Sequence, residues 1–184
     1  MDWVYLQQMQ ALTPWLSWVF VGPADLRVEE RAQRRARAAV MRNPNCLFTG
    51  ARPYGELYRY ARAFTVGILP YRHREPTYSG SSTRFYEHLA ACHPMLATPG
   101  VAELLGKEPL LHLAATPEEG ARMLESWREL GFDDGLRTER WRVSQTETWT
   151  ERGRTMRAAL TERLVVVART GIGCGSPAIE VVRI

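Results

Sequence analysis

The sequence predicts an α/β protein built on a doubly wound, Rossmann-like parallel sheet with helices on both faces. Short continuous apolar runs, typical of strands covered on both faces, alternate repeatedly with amphipathic helical segments. This alternation favours a parallel sheet, because a helix normally makes the crossover between two parallel strands. The composition agrees, since 45% of the residues are hydrophobic and 24% are charged, as in ordinary globular proteins.

The first half of the chain contains three predicted strands and three predicted helices. Asp2 caps a helix that reaches residue 12, and Pro14 ends it. The run WVFV at residues 18–21 is typical of a buried strand and is closed by Gly22 and Pro23. The following elements are an arginine-rich helix, a strand, a helix and a strand, at residues 28–41, 46–48, 54–64 and 66–69.

The second half continues the alternation up to residue 136. A polar loop leads to a small-residue turn, a short amphipathic helix and a buried strand at residues 95–98. A short helix at 101–105 and a strand at 110–113 follow. Thr116, Pro117 and Glu119 then provide a cap, a first-turn proline and a capping-box acid for a helix that reaches about residue 130.

From residue 137 the pattern changes, and we predict two domains, residues 1–136 and 137–184. A long helix is expected over residues 138–164, with Trp141 and Trp149 on one face. The tail has an apolar run at 165–167, a glycine-rich turn and a second apolar run at 179–184. This order is typical of a terminal β-hairpin.

Several classes of site are disfavoured by the sequence. It contains no run of about 18 apolar residues, so no membrane span is expected, and its start lacks the features of a signal peptide. Three distant cysteines are typical of reduced thiols in a cytoplasmic protein. The four histidines lack the spacing of metal ligands, so no metal is expected.

The formal net charge of +4 owes much to the arginine-rich run at residues 31–37. The simplest interpretation is a solvated helix face. An alternative is peripheral contact with an anionic membrane surface. No nucleic-acid-binding motif accompanies the run, and nucleic acid is therefore not an expected partner.

A helix start with small residues before it carries the candidate chemistry. The stretch SSTRFYEHLAACHPML at residues 81–96 resembles the nucleotide-sugar-binding segment of GT-B glycosyltransferases, the "glycosyl transferases group 1" family, which typically reads S-P-x-K-x-Y-E-Y-L-A-A-G-x-P-V-V. Further segments resemble the same family in the same order: WVFVGP at 18–23, NPNCLFTG at 43–50, PYGELYRY at 53–60, VGILPYR at 66–72 and TPEE at 116–119. The resemblance implies one Rossmann-like half of a GT-B enzyme.

The residues at this helix start suit a sugar nucleotide. Arg84 and Glu87 are three apart and share a helix face, where they either meet a ligand or form an ion pair with each other. Free N–H groups at a helix start suit phosphate. The resemblance implies that Glu87 holds the donor ribose, whereas Gly80, Ser81, Ser82 and Arg84 hold the diphosphate.

Other parts of the resemblance concern the nucleobase and two departures from the family pattern. Ala51 and Arg52 correspond to the turn that meets the base in the family. Ser79 stands where one branch of the family has a glutamate, and Ser82 replaces a usual proline. These two differences affect the shape and charge of the loop.

The resemblance implies a hexosyltransferase active in polysaccharide biosynthesis. It would transfer a hexose from a nucleotide diphosphate sugar to a polysaccharide or lipid-linked acceptor, without a metal or other cofactor, in the cytoplasm or at the cytoplasmic face of a membrane. The resemblance covers only the family's donor-binding half and not its N-terminal acceptor domain, so no catalytic residue is named and a separate acceptor-domain chain is an expected partner. The alternative is a catalytically silent nucleotide-binding or interaction module.

The resemblance also implies that the first strand of the donor-binding sheet is missing. We therefore expect an apolar slot in the sheet, which residues 165–184 would fill or whose edge they would cover.

Overall fold

A computed structural model describes residues 1–23 and 27–170, with side chains described as far as residue 163. The described chain is mixed α/β with parallel sheets, as the sequence predicts. It divides into two compact units, Met1–Gln145 and Thr146–Ile184.

The first unit alternates strands and helices along its length. Its strands are β1 (Trp18–Phe20), β2 (Cys46–Phe48), β3 (Gly67–Leu69), β4 (Met95–Ala97) and β5 (His112–Leu113). Its helices are α1 (Trp3–Leu12), α2 (Arg31–Arg42), α3 (Leu57–Ala63), α4 (Thr83–Ala91), α5 (Pro117–Glu129) and α6 (Arg137–Thr146), the last of which reaches the boundary. Short 3₁₀ helices lie at Tyr54–Glu56 and Ala102–Gly106. Each of these elements lies at or within a few residues of a predicted one.

The strands form two separate parallel sheets. β1 pairs with β2, with Val19 opposite Leu47. β3 pairs with β4, which pairs with β5, and Ile68 lies opposite Leu96. The prediction of parallel pairing is confirmed. Within the described residues no strand pairing joins β1 to β3, so the single predicted sheet is present as two pieces.

Side-chain caps fix where two of the helices begin. The Asp2 carboxylate accepts hydrogen bonds from the N–H groups of Val4 and Tyr5, which start α1. Thr116 and Glu119 form a reciprocal capping box at the start of α5. Each such cap stabilises its helix by about 1 kcal/mol, and both follow directly from local sequence.

Two clusters of buried side chains hold the first unit together. The first gathers residues from α1, β1, α2 and α5, including Leu6, Met9, Trp18, Val40, Leu124 and Trp127. The second gathers residues from β3, α4, β4 and the segment up to β5, including Leu69, Phe85, Leu89, Met95, Leu104 and Leu111. Full burial of each large apolar side chain stabilises the fold by about 1.5–3 kcal/mol.

A buried ion pair ties the start of α6 to the first unit. The Arg140 side chain is fully buried and donates from Nη1 to Asp134 at 2.7 Å and from Nε to the carbonyl of Leu110 at 2.7 Å. Its Nη2 also donates to the second Asp134 oxygen. Residues 137–145 therefore belong with the first unit, whereas the prediction placed the boundary after residue 136.

The C-terminal prediction needs correction at two points. The long helix expected at 138–164 is two helices, α6 and α7 (Trp149–Thr170), and the Thr148 hydroxyl accepts from the Glu151 N–H where α7 begins. Residues 165–167 are helical, so the expected first arm of the β-hairpin is wrong. Helix propagation is cooperative, and β-branched residues reduce helix stability by only tenths of a kcal/mol each. The second arm, at 179–184, lies outside the described residues.

None of the helices formed by the described residues combines the length and apolar character that a bilayer crossing requires.

Candidate ligand-binding cleft

A cleft of about 810 Å³ opens between β1 and β3 in the first unit. Its apolar walls include Trp3 and Leu6 of α1, Tyr60 of α3 and Ile68 of β3. β2 lies on the far side of β1, and β4 and β5 lie on the far side of β3. In open α/β sheets, ligands bind in crevices outside the carboxyl ends of the strands.

Ion pairs lie at one end of the cleft. Glu30, which precedes α2, forms ion pairs with Arg72 at 2.7 Å and Arg74 at 3.4 Å, both of which follow β3. The hydrogen bond from Arg72 holds the pKa of Glu30 below its usual range. These pairs are exposed, so they stabilise the fold little and remain open to exchange with a charged ligand.

Arg84 and Glu87 both line the cleft, as the shared helix face predicts. One guanidinium nitrogen of Arg84 donates to both Glu87 oxygens, at 2.9 and 2.6 Å. Their side chains are 52% and 27% exposed. The ion pair that the sequence left as an alternative to ligand contact is therefore present. A ligand that uses both side chains must first separate them.

Glu103 occupies the helix start where a phosphate was expected. Its carboxylate accepts from the Ser81 hydroxyl at 2.8 Å, from the Ser82 N–H at 2.9 Å and from the Tyr86 hydroxyl. Burial opposes ionisation of Glu103, but these hydrogen bonds and the nearby Lys107 hold its pKa below the usual range. An anion thus already satisfies the start of α4.

The serines and the glycine before α4 have structural partners. Ser82 is buried, and its hydroxyl accepts from the Phe85 N–H at 3.3 Å and lies 3.0 Å from the Tyr71 hydroxyl. The Gly80 N–H donates to the carbonyl of Thr77 at 3.1 Å. Among the described residues that line the cleft, Arg84 and Glu87 are the members of the predicted site, whereas residues 80–82 lie outside the lining.

The predicted nucleobase turn lies beside the cleft wall. Arg52 places its guanidinium 5.9 Å from the centre of the Tyr60 ring, and Tyr60 lines the cleft. Ala51 is exposed and follows Gly50, which adopts a positive φ of 72° and bridges to Gly22 after β1. The structure therefore places this turn next to the wall and not in the lining itself.

His88 is a lining residue that the sequence did not single out. Its ring packs against Gly67, where a Cβ would come within 2.7 Å of the ring atoms, and its Nδ1 has no partner among the described residues. Burial, with smaller effects of His93 and Arg84, lowers the pKa of His88 to about 4. The imidazole is therefore neutral near pH 7.

Sequence reasoning missed Glu103 and His88, as well as the ion pairs of Glu30 with Arg72 and Arg74. Glu103 is 21 residues from Ser82, and no local pattern marks a contact of that range. His88 lies on a helix whose sequence does not show how deeply its ring is buried. Within residues 1–23 and 27–170, no group of three side chains could hold a metal ion. The absence of a metal from the function stays a prediction.

Comparisons with known proteins find no match to this chain. A scan against protein-family models finds no match, and searches of curated proteins and of solved structures find none either. The resemblance to GT-B glycosyltransferases therefore rests on the motifs quoted above.

Proposed function

We propose that this chain is the donor-binding, Rossmann-like half of a GT-B glycosyltransferase that transfers a hexose from a nucleoside diphosphate sugar to a polysaccharide or lipid-linked acceptor. The observation that carries the proposal is the position of Arg84 and Glu87. They form an ion pair on α4 and line the cleft between β1 and β3.

The two side chains have complementary chemistry towards such a donor. The Glu87 carboxylate offers acceptors for both vicinal hydroxyls of a ribose. The Arg84 guanidinium can donate two parallel hydrogen bonds to a phosphate. In the reaction, a cation at this place neutralises the charge that develops on the leaving diphosphate.

Separation of the Arg84–Glu87 pair is a small obstacle to binding. Exposed ion pairs stabilise a protein by about 0–1 kcal/mol. A charge-assisted hydrogen bond between ligand and protein contributes about 1.5–3 kcal/mol. Two such bonds, one to each side chain, therefore exceed the cost of breaking the pair.

A catalytically silent nucleotide-binding module is the second candidate, and Glu103 favours it. Its carboxylate takes the helix-start donors that a diphosphate would otherwise use. A donor would then be held by Arg84 and Glu87 without full neutralisation of its leaving group. Such a module binds a nucleotide but does not turn over its sugar.

Calorimetry with UDP, GDP, ADP and dTDP tests the binding site. We expect one of them to bind, and Glu87→Ala and Arg84→Ala each to weaken that binding about tenfold, or about 1.4 kcal/mol. The matched controls are Glu139→Ala and Arg142→Ala, which remove an exposed pair of the same i, i+3 spacing on α6. Failure of all four nucleotides to bind, or equal effects of the control variants, would overturn the proposal.

Release of the nucleoside diphosphate from its hexose conjugate separates the two candidates. We expect transfer activity once an acceptor domain and an acceptor are supplied. Binding without any release under those conditions would instead identify the silent module.

A further inference from the structure

Among the described residues, no strand pairs with the cleft-facing edge of either sheet of the first unit. In β1, the Trp18 N–H donates to Asn45 at 2.7 Å and the Phe20 carbonyl accepts from Thr49 at 3.0 Å, so both residues bond towards β2. Backbone groups of successive strand residues point to opposite edges. The N–H and C=O of Val19 therefore point away from β2, to the edge that lines the cleft.

β3 has the same arrangement on the other side. The Gly67 N–H donates to Pro94 at 2.9 Å, and the Leu69 carbonyl accepts from Thr98 at 3.1 Å, so both bond towards β4. The backbone groups of Ile68 therefore point to the opposite edge. Within the described chain, neither Val19 nor Ile68 has a strand partner on the cleft side.

The two open edges run in the same direction. The segments that follow β1 and β3 meet through the Glu30–Arg72 ion pair, which places the carboxyl ends of both strands at one end of the cleft. A third strand that runs parallel to both could form a hydrogen-bond ladder with each edge. It would join the two pieces into one six-stranded sheet, with the new strand between β1 and β3.

The walls between these edges suit a buried strand. Val19 is 38% exposed, although strands of parallel sheets are normally covered on both faces. Trp3 of α1 and Tyr60 of α3, both partly exposed, line the cleft beside the strands. A strand with apolar side chains on both of its faces would bury this surface.

The charged residues of the cleft indicate which residue types would follow the new strand. Five arginines and three glutamates line the cleft, and all of them follow β1 or β3 or belong to α2 and α4. At the carboxyl end of β3, two of these arginines, Arg72 and Arg74, share the single carboxylate of Glu30. Because the new strand would run parallel to β1 and β3, its own carboxyl end meets this excess of positive charge.

We propose that the cleft receives one extended segment of another polypeptide, a strand of three to five residues that is apolar on both faces and is followed by acidic residues. This inference does not depend on the proposed function. The strand uses the backbone edges of Val19 and Ile68, whereas a nucleotide uses the side chains of Arg84 and Glu87. A small ligand could contact the apolar walls but could not continue both ladders.

Amide hydrogen exchange by NMR tests the proposal with the peptide acetyl-KKVIVIVDD-amide. In the full chain alone, we expect the Val19 and Ile68 amides to exchange quickly and the Trp18 and Gly67 amides slowly. Saturating peptide should slow exchange at Val19 and Ile68 at least tenfold and leave Trp18 and Gly67 little changed. The control peptide acetyl-KKVIPIVDD-amide lacks the central N–H and should give no protection.

Substitution on the protein side gives a second test. Val19→Pro removes an N–H that faces the cleft and leaves the ladder to β2 intact, so the chain should fold and lose the peptide. Val19→Thr keeps the N–H and should bind. Arg84→Ala should keep the peptide while its nucleotide binding weakens about tenfold, which distinguishes this site from the proposed donor site.

Three results would overturn the proposal. The first is absence of protection, or equal protection by the proline peptide. The second is slow exchange at Val19 and Ile68 in the protein alone at all concentrations, which would show that the chain's own residues fill the cleft. The third is protection in the protein alone that rises with concentration, which would identify a second copy as the occupant.

Discussion

The carboxylate of Glu103 accepts a hydrogen bond from the backbone N–H of Ser82 at 2.9 Å, at the first turn of α4. The same carboxylate accepts from the Ser81 and Tyr86 hydroxyls. A negative group at a helix N-terminus is stabilised by free N–H donors and by the helix dipole. Glu103 therefore has the position and the charge that a ligand phosphate would take.

Glu103→Gln should make the start of α4 more receptive to an anion. The substitution removes the charge that repels phosphate, and we expect the bound nucleoside diphosphate to gain about 1 kcal/mol, roughly fivefold in affinity. Calorimetry measures the gain, and Glu108→Gln, on the segment before β5, is the control of equal charge change. Weaker binding in Glu103→Gln would show that the carboxylate supports the site instead of competing with it.

Local features of the fold could be predicted from the sequence, because neighbouring residues determine them. The Asp2 and Thr116 caps lie within three residues of the groups they bond. The break between the two sheets could not be read from strand periodicity, because the runs around Val19 and Ile68 look like any buried strand. Periodicity indicates which face of the sheet a side chain lies on, but it does not indicate which strands are hydrogen-bonded to each other.

The candidate site could likewise be predicted only where neighbouring residues determine it. The shared helix face of Arg84 and Glu87 follows from their spacing, and the structure has the pair in contact. The Glu103 carboxylate reaches α4 from a separate 3₁₀ helix after β4, so its contact depends on tertiary packing. The strand prediction for residues 165–167 failed for a different reason. These residues have β propensity, but they lie in α7, and helix extension is cooperative.

Gly100→Ala should be strongly destabilising, because a Cβ at this position would come within 2.1 Å of the Tyr71 carbonyl oxygen. The contact is with backbone, so a rotamer change cannot relieve it. We expect a loss of at least about 2–3 kcal/mol in the free energy of unfolding, measured by urea denaturation. Gly106→Ala is the matched control: a Cβ there meets nothing within 4 Å, and the change should be neutral or slightly stabilising. Equal stability of the two variants would contradict the close approach at Gly100.

Asp134→Asn should cost about 3–5 kcal/mol, because it leaves the buried Arg140 guanidinium without its counter-charge. Burial opposes ionisation of Asp134, yet the hydrogen bonds and charge of Arg140 hold its pKa below the usual range. A lowered folded-state pKa means that the stabilisation is present above about pH 4, the unfolded value, and is lost as the pH falls through the folded pKa. Denaturation at pH 4 and pH 3, below the range in which His88 titrates, should show a larger loss in the parent chain than in Asp134→Asn. Glu139→Gln, which disrupts an exposed pair, should leave stability little changed.

His88 should make stability depend on pH in a second pH range, above the range in which Asp134 titrates. Its folded pKa of about 4 lies below the unfolded value of about 6.5, because burial disfavours the charged ring. The unfolded chain then binds the proton first, so stability is complete above pH 6.5 and falls as the pH drops from 6.5 to 4, by roughly 3 kcal/mol. NMR titration of the imidazole measures the pKa directly, and urea denaturation from pH 7.5 to 4 measures its effect.

His88→Gln should flatten this window, whereas His93→Gln should narrow it only slightly, because His93 contributes less than burial does to the lowered pKa of His88. The Gln variant also opens space beside Gly67, so its stability at pH 7.5 is expected to be lower than that of the parent chain. The slope with pH separates the two effects, since a packing loss shifts the whole curve and a titration loss removes its slope. A His88 pKa near 6.5 in the folded chain would show that the ring is solvated, and the cleft wall beside β3 would then be open to water.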